Sequence, residues 1–243
     1  MRKFIIATLA LVSSISQATS LCDSTSDALS AHYSVTVSKH GHETPTTELT
    51  LWRQNNTVAH QYSQTNISEM WTLVRGSHIK PVRFFDEHKR GIEYQPGESI
   101  HGRVEKDFSY RYQLISDTLL SEMTLVKEEG AACSKKQTMK HTLNGVELAL
   151  VWLPEQKLIE SFTVTQGEEI RHWSLEEVSF DKQAISAFFA TRNAYQLTDY
   201  ADIGDDHTDP FLTNMVNMGF IEAGASGFYD TEGRALEGHG HGH

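Results

Sequence analysis

Apolar and polar residues alternate in twos along most of the chain, the period of strands with one buried face. In HYSVTVS the residues Tyr33, Val35 and Val37 share a face, and in TELTLWRQ Leu49 and Leu51 do. Asn55-Asn56 then reads as a tight hairpin turn into TVAHQYS. The alternation continues through WTLVRG, KPVRFFDE, RGIEYQP, YRYQLIS, MKHTLNG, VELALVWLP, KLIESFTVTQG and EEIRHWSLEEVSF, with Gly, Pro or Asn at most boundaries. Roughly ten strands with short connections predict a mainly β (α+β) chain built on an antiparallel sheet. Helical signals are few. Residues 24–31 have one, 116–128 reads either way, and 182–192 follows Asp181 as a cap. In DPFLTNMVNMG, Asp209 suits the N-cap, Pro210 the first helical position and Gly219 the stop. The segment 182–220 is therefore expected to cover the sheet, with Phe188, Phe189, Phe211 and Met215 as its apolar contacts. Trp52, Trp71, Trp152 and Trp173 all fall in strand-like runs and read as core or cavity lining.

Before any of this, MRKFIIATLALVSSISQATS has the order of a secretory signal: Arg2 and Lys3, an apolar run from Phe4 to Val12, then small residues. That run is too short to span a bilayer, and no later stretch is apolar for long enough. The expected organisation is a cleaved signal over 1–20, one domain over 21–220 and a Gly/His-containing tail over 221–243. The mature protein is expected to be periplasmic or secreted. Leu21 stands directly before Cys22, where lipid attachment needs a small residue. The chain has 243 residues, 39% hydrophobic, enough for one domain with a substantial core. Its net charge of −11 becomes more negative once Arg2 and Lys3 are lost, which argues against nucleic acid and anionic lipid as partners.

A large antiparallel sheet with a few helices in one exported domain predicts a strongly curved sheet or an unclosed barrel covered by helices. The order of elements across about residues 22 to 180 resembles the periplasmic lipoprotein-carrier (LolA-like) superfamily. The likeness rests on a short N-terminal helix, hairpins that include LTLWRQNNTVAHQY, and the late strands KLIESFTVTQGEEIRHWSLEEVSF. That family folds as an unclosed antiparallel barrel covered by helices, so the resemblance implies a carrier of an apolar ligand or a lipoprotein segment. No catalytic or ligand motif accompanies it, and the chain after Asp181 departs from such a carrier.

Only two cysteines occur, Cys22 and Cys133, and export brings both into an oxidising compartment. A disulfide is the expected state. It would close a loop of about 110 residues, worth roughly 4–5 kcal/mol in chain-entropy terms. There is no Cys-x-x-Cys motif to suggest redox chemistry.

Two segments bear on metal chemistry. In YQLTDYADIGDDHTDPFLTNMVNMGF, Asp199, Asp202, Asp205, Asp206 and Asp209 crowd together with His207, and close carboxylates repel unless a cation, a helix N-terminus or solvent separates them. A cation site using Asp202, Asp205, Asp206 and His207 and a hydrated acidic loop are both open. Met215 and Met218 lie on one helical face, where core packing outweighs thioether ligation of copper. Alternating Gly and His occupy Gly238 to His243, so His239, His241 and His243 can turn to one ion, with glycine supplying backbone freedom. KHGHE repeats the word with His40 and His42. Imidazole suits Zn, Cu and Ni, and a flexible end discriminates poorly among them. An added tag or an idle polar tail is the alternative.

Nothing in the sequence matches a Gly-x-Ser-x-Gly elbow, a His-Glu-x-x-His helix or a phosphate loop, so a non-enzymatic protein is expected. Two readings stand: a metal-binding protein acting through its His-rich tail, and a carrier or scaffold that holds an apolar ligand in the hollow of the sheet.

Overall fold

In the computed structural model, which describes residues 26–100, 103–202 and 209–217, the chain opens with strands β1 (Ala28–Lys39), β2 (His42–Glu43), β3 (Thr47–Gln54), β4 (Thr57–Tyr62), β5 (Ile67–Val74), β6 (His78–Phe85) and β7 (Arg90–Glu93). A small hairpin of β8 (Ser99–Ile100) and β9 (Arg103–Val104) precedes the short helices α1 (Phe108–Gln113) and α2 (Asp117–Glu122). Strands β10 (Thr124–Glu129), β11 (Lys136–Leu143), β12 (Val146–Leu153), β13 (Leu158–Gln166) and β14 (Glu169–Ser179) follow. Helix α3 (Lys182–Asn193), β15 (Gln196–Asp199) and α4 (Pro210–Asn217) complete the described chain.

The strands make one sheet in the order β10-β11-β12-β13-β14-β1-β3-β4-β5-β6-β7-β15, with β2 added beside β1. It has thirteen strands and does not close, because β10 and β15 remain at opposite edges. Every pairing in it is antiparallel except β15 on β7. This is the mainly β, unclosed sheet that the alternation predicts. The sheet wraps on itself: Ile79 and Ile92, near one edge, belong to the same buried cluster as Met139 and Leu150, near the other. Trp71, Trp152 and Trp173 lie in that inner cluster.

Helix α3 lies on the opposite, outer face. Ile185, Phe188 and Phe189 pack there on Ala59, Met70, Val82 and Phe84, and the Trp52 ring stacks on Phe188 with centroids 4.2 Å apart. Each such buried ring contributes roughly 1.5–3 kcal/mol. Asp181 caps the helix as expected, its Oδ1 accepting from the amides of Gln183 at 2.9 Å and Ala184 at 3.1 Å.

Several expectations are corrected. Residues 28–31 are strand, not helix, because Leu29 and Ala31 extend the buried row of Tyr33 and Val35. YRYQLIS, expected as a strand, lies largely in α1. Asp107 caps that helix by accepting from Tyr110 N at 3.1 Å, and Leu114, at φ 65°, ends it. The ambiguous 116–128 divides into α2, capped by Ser116, and the edge strand β10. The cover expected over 182–220 is split. α3 holds the outer face, β15 extends the sheet edge, and α4 sends Leu212 and Met215 into the inner cluster.

Candidate functional site

Cross-strand register sets what the inner face offers. One row runs Leu125, Met139, Leu150, Phe162, Trp173, Val35 across β10, β11, β12, β13, β14 and β1. The next runs His141, Leu148, Val164, Arg171, Val37. Strand side chains two apart share a face, so these rows form a trough that is apolar except at His141 and Arg171 in the second row. Its floor is buried, with Leu150 at 1% exposed and Trp173 at 8%, but its rim opens to solvent at Leu125, 50% exposed, and Leu143, 52%. Leu119 and Leu120 of α2 pack partly on this cluster, and α2 contributes no fully buried residue of its own. The cover over this half of the sheet is thin.

The other half of the inner face, beneath α1, is buried, and several charged or titratable side chains stand in it among Leu51, Val58, Trp71 and Ile92. Arg53 continues the Leu49, Leu51 alternation on β3 and is fully buried. Its Nε donates to Tyr112 O at 2.7 Å, Nη1 to Gln156 O at 2.7 Å and Nη2 to Lys157 O at 2.6 Å, while its guanidinium stacks on the Tyr112 ring at 4.2 Å. One side chain thus ties the sheet to α1 and to the β12–β13 turn. Burial lowers its pKa to about 10, so it stays cationic at neutral pH. Next to it, His60 on β4 donates Nε2–H to Arg111 O at 2.7 Å. Burial, reinforced by the nearby Arg111 charge, drops its pKa to about 3, so the ring is neutral and free to act as that donor.

Arg83 and Glu69 form a buried ion pair, with Arg83 Nη2 at 2.7 Å and Nε at 3.1 Å from Glu69 Oε1. Arg111 pairs with Glu105 at 2.6 Å and stacks on Trp71 at 4.5 Å. Glu69, Glu105, Trp71 and Tyr94 help to line a cavity of about 30 Å³, room for about one water. Glu69 Oε2 is buried and has no hydrogen-bond partner among the described residues. A bound water in the cavity would satisfy it. Removing one partner of such a buried pair costs about 3–5 kcal/mol, so these charges fix the fold of this half of the sheet. Sequence reading did not single out Arg53, Glu69, Arg83 or Arg111. Their one signal was position: each of the strand residues stands at an inward phase of its alternation.

The residues proposed for metal do not come together among the described residues. His40, exposed on the β1–β2 turn, contacts Glu168, and exposed His42 pairs in the ladder with Lys39. Asp199 accepts from Ala201 N at 3.0 Å and from Gln95 Nε2, which together lower its pKa. Asp202 is exposed in a 3-10 turn. Asp209 is engaged otherwise: it caps α4 at Phe211 N, 2.8 Å, and pairs with Arg90 at 2.6 Å, which holds its carboxyl below the usual range. No group of three or more His, Cys, Asp or Glu among the described residues could hold a metal ion. Asp205, Asp206, His207, Met218, His239, His241, His243 and Cys22 lie outside the described residues. Cys133 is not a free thiol. No helix among the described residues is long and apolar enough to cross a membrane.

No family model and no curated protein matches the sequence. Solved structures similar to this chain include PNGF-II, at 7% identity and TM-score 0.36, covering 71% of this chain and 32% of that one. The chain thus spans about a third of the length of PNGF-II. A LolA superfamily protein from Nitrosomonas europaea matches at 8% identity and TM-score 0.27, covering 67% and 93% of the two chains. MucB in complex with MucA(peri) matches at 10% identity and TM-score 0.31, covering 63% and 50%. The weak LolA-like resemblance read from element order recurs here, but superpositions at these scores bear on neither ligand nor activity.

Proposed function

We propose that the chain is an exported, non-enzymatic carrier or scaffold that holds an apolar ligand against the inner face of its open sheet. The observation that carries this reading is the trough on β10 to β14, with an apolar floor, an open rim and the thin cover of α2. Rows of this kind in a closed core would be sealed. Here Leu125 and Leu143 keep about half their surface in water, a standing cost that an apolar ligand would remove. The hairpins around LTLWRQNNTVAHQY and the late strands β13 and β14, which resemble those of periplasmic lipoprotein carriers, point the same way.

The test uses the mature protein and the fluorescent apolar probe N-phenyl-1-naphthylamine, displaced by dodecanol. Leu148 and Val164 are half-buried in the trough, so Leu148→Glu and Val164→Glu place a carboxylate there without emptying the buried floor. Probe binding by the wild type and its loss in both folded variants is the expected result. Absence of binding by the wild type, or unchanged binding in the two variants, would overturn the reading.

A further inference from the structure

At one end of the sheet, where the β3–β4 and β12–β13 turns approach α1, lies an open groove of about 580 Å³. It is separate from the trough and falls within the usual range for a small-molecule site. Its lining is mixed. Phe108 and Tyr112 supply aromatic surface, with ring centroids 5.8 Å apart. Asp27, Asn55, Gln113, Asp117 and Lys157 supply polar groups from five different segments.

The chemistry of that set excludes most ligand classes. An apolar ligand would cover two carboxylates, three amides, a hydroxyl and an ammonium and could not meet their remaining hydrogen-bonding capacity, at a cost for each. An anionic ligand would face Asp27 and Asp117 against the single cation Lys157, on a chain of net charge −11. A metal ion would find carboxylates already engaged: Asp27 Oδ1 accepts from Tyr112 Oη at 2.9 Å, Asp117 Oδ1 accepts from Gln113 Nε2 at 2.7 Å, and Lys157 stands in the same groove. What fits is a neutral ligand whose polar groups both donate and accept and whose remaining face is C–H. Carboxylates accept from its hydroxyls, Lys157 donates to them, the Asn55 amide does both, and aromatic surface takes the apolar face, with the buried Gln113 holding Asp117 in place. The site is also partly preformed. Gln113 is only 3% exposed and held by Asp117, Tyr112 is fixed by Asp27 and by the stacked Arg53, and Asn55 is set by its left-handed turn at φ 56°.

We infer that this groove is a binding site for a neutral, hydroxyl-rich ligand of the saccharide class, independent of whatever occupies the trough. The test is a titration of the isotope-labelled mature protein, followed by amide resonances, with cellobiose and chitobiose as probes and with inorganic phosphate and dodecanol as comparisons. Saturable shifts at Asn55, Gln113 and Asp117 with at least one of the two disaccharides are expected. Asn55→Gly suits the left-handed turn and Asp117→Asn keeps the side chain's size. Each should weaken saccharide binding about tenfold, the loss of roughly one charge-assisted or well-placed hydrogen bond. The trough variant Leu148→Glu should leave saccharide binding unchanged. No shift with either disaccharide at millimolar concentration, stronger shifts at these residues with phosphate or dodecanol, or unaltered affinity in both groove variants would each overturn the proposal. Loss of apolar-probe binding without loss of saccharide binding would separate the two sites.

Discussion

Acidification should destabilise this protein through His60. The ring is 3% exposed, donates to Arg111 O at 2.7 Å and packs edge-on to Trp71 at 4.7 Å. Protonating it would place a second cation beside Arg111 in a site closed to water, which is why burial and that charge depress its pKa to about 3. In the unfolded chain the same ring titrates near about 6.5. The folded state therefore binds the proton less readily than the unfolded state. The stability this group contributes is fully present above about pH 6.5 and is lost as pH falls from there toward 3. Between about pH 7 and pH 5 the linkage amounts to about 2 kcal/mol, a large part of the total stability of an ordinary domain.

Carboxylates begin to titrate at the lower end of that interval, so the wild type alone does not isolate His60. His60→Gln does, because an amide can still donate to Arg111 O but cannot take up a proton near neutrality. Urea unfolding of both proteins, followed by tryptophan fluorescence at about pH 7 and pH 5, gives the comparison. The wild type should lose about 2 kcal/mol more than the variant over that range. Equal losses, within the roughly 0.5 kcal/mol to which such differences are additive, would refute the burial argument.

The Cys22–Cys133 pairing is expected to show as a gain of two hydrogens when the mature protein is reduced, with a stability loss of roughly 4–5 kcal/mol; two free thiols in native material would end the idea. The Gly238 to His243 tail is proposed as a low-selectivity ligand for Zn, Cu or Ni. Its removal should lower metal stoichiometry at about pH 7.5 and matter less near pH 5.5, where imidazoles protonate, and equal binding at the higher pH would assign metal elsewhere.

Much of the fold was legible because the period of two survives wherever one face of a strand is buried. The hairpin at Asn55-Asn56, the run from β11 to β14 and the caps Asp181 and Asp209 could all be placed from local chemistry. What escaped was decided at longer range. YRYQ alternates well enough for a strand, yet Asp107 and Ser109 start a helix there, and its buried Arg111 and Tyr112 turn toward the sheet. QLTD has too few apolar residues to announce β15. Its place comes from backbone pairing with β7, where Leu197 Cδ2 closes over Gly91 so tightly that an added Cβ would stand 2.6 Å away.

The candidate sites were hidden for a related reason. Alternation marks which way a side chain points, but a reader who equates inward with apolar discards Arg53, His60, Glu69 and Arg83 as interruptions. On the inner face these four lie among Leu51, Val58, Trp71 and Ile92, and each is met by a partner that alternation does not show: Arg53 by carbonyls of α1 and the β12–β13 turn, the neutral His60 by the Arg111 carbonyl, and Glu69 and Arg83 by each other across β5 and β6. A wrapped sheet makes those meetings possible, since it carries β3 and the β12–β13 turn to a common interior. At the outer strands β10 and β11 the same sheet leaves Leu125 and Leu143 half exposed. Buried charge therefore marks the half of the inner face that α1 closes, set among apolar core residues, and the proposed ligand surface on β10 to β14 has an apolar floor, the reverse of what a search for polar motifs expects.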